Sequence, residues 1–353
     1  MTNHLAAQTA KTGNILSSLN GAMHLLLSED ERVIVIGEDV ADPYGGAFKV
    51  TRGLSTLYPD QVITTPISEG AITGIAAGMA VRGFKPVAEI MFGDFLTLAA
   101  DQLINHAAKF NFMYNETVSV PLVIRTPMGG RRGYGPTHSQ SLEKHFLGVP
   151  GLTVVAVNSA TDAGELLVTA VKHARAPVLF IENKHLYTLQ TTTHLSGWNL
   201  ERLGLCGETD TFPTIVLCQQ FAPASDALIF TYGGMTPLCI EALIRLHETE
   251  GLNCDLAVFS QLSPVPTGHL RSIMTMKALP SVCAYAEEAS VESGWGAEMI
   301  ASVEMARQQL GMMAPLMHVR IGADHTPIPA SRGLENAALP QIEDIVMTLV
   351  NCF

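Results

Sequence analysis

Charge is scarce in this chain. Only 15% of its 353 residues are Asp, Glu, Lys or Arg, against 47% hydrophobic. Basic residues are the fewer, 21 against 33 acidic, for a formal net charge of -12. No basic block stands ready to neutralise phosphates, which argues against a nucleic-acid partner. Long apolar runs are lacking too. None approaches the roughly 20 residues that a membrane-crossing helix needs, so the apolar excess belongs in large cores or subunit contacts. The start, MTNHLAAQTAKTGN, has no basic segment followed by an apolar one, so no secretory signal is expected. Cysteine is missing from the first half. The six present (Cys206, Cys218, Cys239, Cys254, Cys283, Cys352) form no C-x-x-C pair and read as reduced, mostly buried thiols of a cytoplasmic protein. There is no Walker loop, no clear dinucleotide fingerprint and no histidine pair at metal spacing.

What is present is alternation. Short β-branched runs such as VIVIGEDV, KPVAEIMF, VPLVIRTP, GLTVVAVN and APVLFIEN alternate with segments of helical spacing such as FLTLAADQLINHAAKFNFM and DAGELLVTAVKHA. That order predicts a parallel sheet covered by helices on both faces, with functional residues at the carboxyl ends of the strands. The pattern fades in a polar, threonine-rich stretch and resumes with ALIFTYGGM, CDLAVFSQ, SVCAYAEEA and PLMHVRIG. The expected architecture is α/β with two doubly wound domains, over 1–190 and 223–353, joined by a connector over 191–222.

Four places carry candidate chemistry. In Thr65-Pro66-Ile67-Ser68-Glu69-Gly70, Pro66 ends a strand and Ser68 suits a helix N-cap. Glu69 then falls in the first helical turn, where the helix dipole favours a carboxylate. A purely structural cap explains this; so does a carboxyl aimed at a ligand from a strand-to-helix corner. Gly70, Gly74 and Gly78 follow at every fourth position. Each costs about 1 kcal/mol against alanine in a helix. Another backbone must therefore approach closely, within the chain or from another subunit, and the latter would put Glu69 near an interface. The run from Gly129 to Gln140 holds glycines and a proline that exclude regular structure, and it carries His138 after a strand. It reads either as a surface loop or as a loop over a ligand, with Arg131 and Arg132 taken as solvated. Glu38-Asp39 follows a buried strand, where one acid could cap and the other enter a site. Phe92-Gly93-Asp94-Phe95 could be core or could stack on a flat ring. Gly233-Gly234 is a weaker signal for an anion cradle.

Taken in order, GEDVADPYGGAFKVTRGL, TPISEGAITGIAAGMAVRGFKPVAEIMFGDF, DQLINHAAK, THSQSLEKHF and PGLTVVAVNSATDA resemble the β subunit of pyruvate, branched-chain 2-oxoacid and acetoin dehydrogenases. TYGGM, LSPVP, EEASVESGWGAEM and TPIPASRGLENAALP look like the carboxy-terminal, transketolase-like domain of that family. The resemblance covers about residues 16–350. It implies that the first domain binds the pyrimidine of thiamin diphosphate, and that an α subunit in an α2β2 assembly holds the diphosphate and Mg2+. The family's Gly-Asp-Gly for that metal site is absent from this sequence. By resemblance, Glu69 hydrogen-bonds the aminopyrimidine nitrogen and so promotes removal of the thiazolium proton. Phe95 packs on the pyrimidine, Glu38 is an acid near the cofactor, and His138 stands beside the reacting carbon. The implied reaction is decarboxylation of a 2-oxoacid (or cleavage of acetoin), with acyl transfer to lipoamide on an acyltransferase. The alternative is a two-subunit carboligase working outside any such complex. Two departures are Val258-Phe259-Ser260, where the family often has Asp-Leu-Arg, and Lys172-His173-Ala174-Arg175, where some relatives bind potassium.

Overall fold

The computed structural model describes residues 13–204, 212–222 and 224–353. Cys206 and part of the expected connector lie outside them. Thirteen strands form two sheets. They are β1 (Val33–Gly37), β2 (Val62–Thr64), β3 (Lys85–Glu89), β4 (Val123–Met128), β5 (Thr153–Ala156), β6 (Val178–Asn183), β7 (Trp198–Leu203), β8 (Thr214–Gln219), β9 (Ala227–Tyr232), β10 (Cys254–Phe259), β11 (Gln261–Ser263), β12 (Val282–Ser290) and β13 (Met317–Ala323). The first sheet runs β11-β5-β6-β4-β3-β1-β2 and the second β13-β12-β9-β10-β8-β7. The chain is thus α/β, with helices between strands, as the alternation implies. No described helix is long and apolar enough to cross a membrane.

Three details differ from the sequence expectation. The connector 191–222 contains β7 and β8, which pair antiparallel with each other and extend the second sheet beyond β10. Its polar composition reflects edge position: Asn199, Glu201 and Arg202 of β7 face outward while Trp198 is buried. Second, the run after β10 does not stop with the second sheet. β11 crosses over and pairs antiparallel with β5 (Gln261 opposite Val155), so the second half supplies an edge strand to the first sheet. One buried cluster accordingly spans both halves, from Ile36 and Leu152 to Phe230 and Trp295. Third, the long helix after Phe95 is interrupted. Leu96–Asp101 and Ala108–Met113 flank a π-helical turn, Gln102–Ala107.

The glycine face of the Glu69–Val81 helix meets this second helix within the chain. A side chain at Gly70 would press on the Leu98 carbonyl, and one at Gly74 on the Gln102 amide. Gly78 faces open space. A backbone approaches at Gly70 alone, while Gly74 meets a side chain, and both contacts are within the chain.

The centre of the first sheet holds an ionic group. Arg125 of β4 lies opposite Glu89 of β3. It donates to Glu89 Oε2 at 2.8 Å and, through two nitrogens, to both oxygens of Glu182 at 2.7 and 2.9 Å. Tyr187 donates its hydroxyl to Glu182 at 2.7 Å. All four side chains are buried. Burial pushes the Glu89 carboxyl up, opposed by Arg125 and assisted by Glu182. The guanidinium is therefore the one charge that lets two carboxylates stay inside. Arg125→Met would strand both acids. We expect a loss of about 3–5 kcal/mol, read as a lower urea midpoint at unchanged slope; a midpoint within error of the parent would disprove the account.

Candidate active site

The carboxyl ends of five adjacent strands, β6-β4-β3-β1-β2, present the candidate residues in one row. Lys184 follows β6, the glycine loop follows β4, Phe92–Phe95 follows β3, Glu38 follows β1, and Glu69 follows β2 after a short turn. This is where ligands bind in open α/β sheets.

Glu69 opens its helix and is buried. Ser68 occupies the N-cap position but makes no side-chain cap bond, so the cap reading does not account for the corner. The register brings Glu38 to the same end, because Gly37 pairs with Thr64 and accepts from the Thr65 amide at 3.0 Å. Glu38 is buried, and among the described residues its Oε1 has no hydrogen-bond partner. Burial, then the nearby Glu69, Asp39 and Glu89 carboxylates, push the Glu38 carboxyl above its ordinary range. The Glu38 carboxyl therefore holds a proton more readily than an exposed one.

Beside them is an aromatic wall. Phe92 is its centre, with ring centroids 5.6 Å from Phe48, 6.0 Å from Phe95 and Tyr134, and 4.8 Å from His138. The Phe95 ring lies 5.3 Å from His138, also edge-on. The structure therefore brings His138 and Phe95 into contact across two strand ends. Thr137 Oγ1 lies 3.0 Å from His138 Nδ1. Gly93 allows the turn to pass Met128, where a side chain would collide. Buried Asp94 accepts from the Gln140 amide and side chain at 3.2 and 2.8 Å, which ties the turn to the His138 loop.

The loop itself is held by the second half of the chain. Buried Glu288 of β12 accepts from the Gly130 amide at 2.8 Å, and buried Glu335 accepts from the Arg131 and Gly133 amides at 2.8 and 2.9 Å. Arg131 is drawn in: it faces Glu288 at 3.4 Å and donates to the Pro340 carbonyl at 2.6 Å. Arg132 is exposed, as expected, and donates to the Lys184 carbonyl at 2.7 Å. The solvated reading fails for Arg131 because acceptors from two other segments converge on it. Lys184 is fully buried; its ammonium donates to the His138 carbonyl at 2.7 Å and lies 5.3 Å from the centre of the Phe92 ring. Burial, opposed by Asp94 and Glu288, pushes it down to about 8. Gly234 carries no anion cradle signal here: it packs against the Asn183 amide, where any side chain would collide.

The profile of the family described as "Transketolase, pyrimidine binding domain" matches residues 14–190. Pyruvate dehydrogenase E1 component subunit beta-1, mitochondrial, of Arabidopsis thaliana is 35% identical over 352 residues, covering 96% of this chain and 89% of that protein. This chain belongs to the family of those β subunits, with a transketolase-type pyrimidine-binding domain. Acetoin:2,6-dichlorophenolindophenol oxidoreductase subunit beta of Cupriavidus necator is 31% identical, covering 95% of this chain and 96% of that one. A solved chain described as "Split gene transketolase, inactive beta4 tetramer" shares the fold, with a TM-score of 0.68 over 97% of this chain and 98% of that chain at 17% identity. The pyrimidine-binding domain of the family match coincides with the first sheet, except for β11.

Sequence reasoning missed Lys184, Glu288 and Glu335. The signal for the acids was only their position in otherwise apolar segments; for Lys184 it was a lone cation directly after a strand. The loop geometry makes a test. Gly129 has φ +87, and a side chain there would collide with Asn183 and Glu288. Gly129→Ala should cost about 1–3 kcal/mol and speed amide exchange across 129–141. Unchanged exchange there would show that the loop does not depend on this clamp.

Proposed function

We propose that this chain is the β subunit of a thiamin-diphosphate enzyme that decarboxylates a 2-oxoacid, or cleaves acetoin, and passes the acyl group to lipoamide. The observation that carries the reading is the buried Glu69–Glu38 corner beside an aromatic wall. Glu38 Oε1 lacks a donor, and an aminopyrimidine supplies donors and a flat ring of the kind such a corner fits. The named activities of the similar β subunits point the same way.

When bound, thiamin diphosphate supplies a carbon acid whose anion adds to carbonyls. The chain's residues do the rest. Glu69 shares a proton with the pyrimidine nitrogen, and the burial around it keeps that proton from water. Glu38 stands behind it as a second carboxyl that holds a proton more readily than usual. Phe95 would pack against the pyrimidine ring when the cofactor is bound. Thr137 engages His138 Nδ1, which leaves Nε2 to stabilise a developing oxyanion or to assist acyl transfer.

The reading assigns the diphosphate and Mg2+ to an α subunit, because no Gly-Asp-Gly occurs in this sequence. An apolar band next to Glu69 suits that partner: Ile67 is 81% exposed, Leu98 63% and Ile75 53%. We take the assembly as α2β2, docked on a lipoyl acyltransferase. The five described cysteines are free, which suits the reducing cytoplasm.

The chain should be titrated with thiamin diphosphate and Mg2+ by calorimetry, alone and co-expressed with its α partner. Binding by the mixed complex only is expected; tight binding by the chain alone would sink the split-site reading. In that complex, Glu69→Gln should leave assembly intact and slow deuterium exchange at the thiazolium carbon about 100- to 10,000-fold. Parent-like exchange would remove Glu69 from its role. His138→Ala should retain cofactor and lose acyl transfer.

A further inference from the structure

We propose that Lys184 is a positioning residue for His138: its buried ammonium holds the main chain of that residue and so sets where the imidazole stands. The inference rests on the role given to His138 above. Lys184 is itself fully buried, so it acts through the loop it holds.

The geometry is direct. Lys184 follows β6, on the rigid sheet, and its amide donates to the Met128 carbonyl at 3.0 Å. Its Nζ donates to the carbonyl of His138, not to a neighbour of it, at 2.7 Å. The same Nζ lies 5.3 Å from the centre of the Phe92 ring and 5.9 Å from that of Tyr134. Phe92 in turn meets the His138 ring edge-on at 4.8 Å. The cation thus fixes both the backbone of His138 and the ring its side chain rests on. Arg132 closes the arrangement from the other end of the loop by donating to the Lys184 carbonyl. Two segments, the loop and the Phe92 turn, converge on this side chain, whose hydrogen bond goes to a main-chain carbonyl.

A buried lysine with one hydrogen bond is costly to keep. Methionine would fill the same space without that cost, so stability alone does not explain an ammonium here. The charged faces around it are Asp94 on the turn after β3, Glu288 on β12, Glu335 on the Arg332–Ala338 helix and Arg132 on the loop. The acids favour the ammonium, and Asp94 keeps a buried oxygen without a partner on this side. The arrangement spends charge on holding a loop in one place, which matters where a misplacement of about 1 Å can cost 100-fold in rate.

The test uses the co-expressed complex with Lys184→Met, Lys184→Arg, His138→Ala and the Lys184→Met/His138→Ala double variant. Acyl transfer to free lipoamide gives kcat and KM, and calorimetry gives cofactor binding. Amide exchange of 129–141 is measured in the same complexes. Lys184→Met should lower kcat about 10- to 100-fold with KM and cofactor binding unchanged, and speed exchange of the loop. The double variant should be no slower than His138→Ala, and Lys184→Arg should restore most of the rate. Should the Met variant fail to assemble, Lys184→Gln, too short to reach the carbonyl, carries the same comparison. Parent-like kcat, unchanged loop exchange, or losses that multiply in the double variant would overturn the inference and leave His138 its role. A His138→Ala enzyme with parent-like transfer would overturn both, and that result is recognisable without any Lys184 variant.

Discussion

Everything at the candidate site depends on one constraint: a glycine-rich loop of the first half must bond its backbone to buried acids of the second. The amides of Gly130, Arg131 and Gly133 have no sheet or helix partners; Glu288 and Glu335 accept them instead. A buried N–H without an acceptor is costly, so the loop keeps its shape only while both halves stay docked. That couples domain packing to the position of His138. It also explains why β11 reaches across to β5 and why one hydrophobic cluster runs through both sheets. A flexible linker between two independent domains would let the acids drift from the amides.

The strand-end residues were legible because two periodicities converge on them. Apolar runs of strand length mark Glu38, Glu69, Phe92–Phe95 and the glycine loop as carboxyl-terminal corners, and glycine and proline mark where the chain turns. The alternation gives the α/β class with little ambiguity. What stayed hidden has a common physical cause. Glu288 and Glu335 look like ordinary acids near segment ends, since sequence does not say which carboxylates face another domain. Arg131 looked solvated for the same reason. Lys184 gives no periodic signal, because its meaning lies in a carbonyl 46 residues away. The strands inside the supposed connector were masked by polar residues that suit an edge. The glycine spacing told of a close backbone contact, and it holds at Gly70 alone, against the next helix of the same chain.

The ionic groups fall into two kinds with different logic. Arg125, Glu89 and Glu182 lie within β4, β3 and β6, and each of these charges has a partner. Such a group is structural: it specifies how β3, β4 and β6 align. At the strand ends the balance is left incomplete. Glu38 Oε1 and Asp94 Oδ2 are buried without partners, Glu38 is held above its ordinary range, and Lys184 below its own. A chain selected for stability alone would fill these positions with apolar side chains of similar size. These groups lie toward the same edge as the aromatic wall and the exposed apolar band. Unsatisfied groups next to an unburied apolar face are what a half-site looks like before a cofactor and a second subunit supply the missing donors and cover the band. Part of the cost carried by this chain therefore lies at the surface that a partner would close. The Arg125 group behind it keeps the sheet rigid while that surface waits.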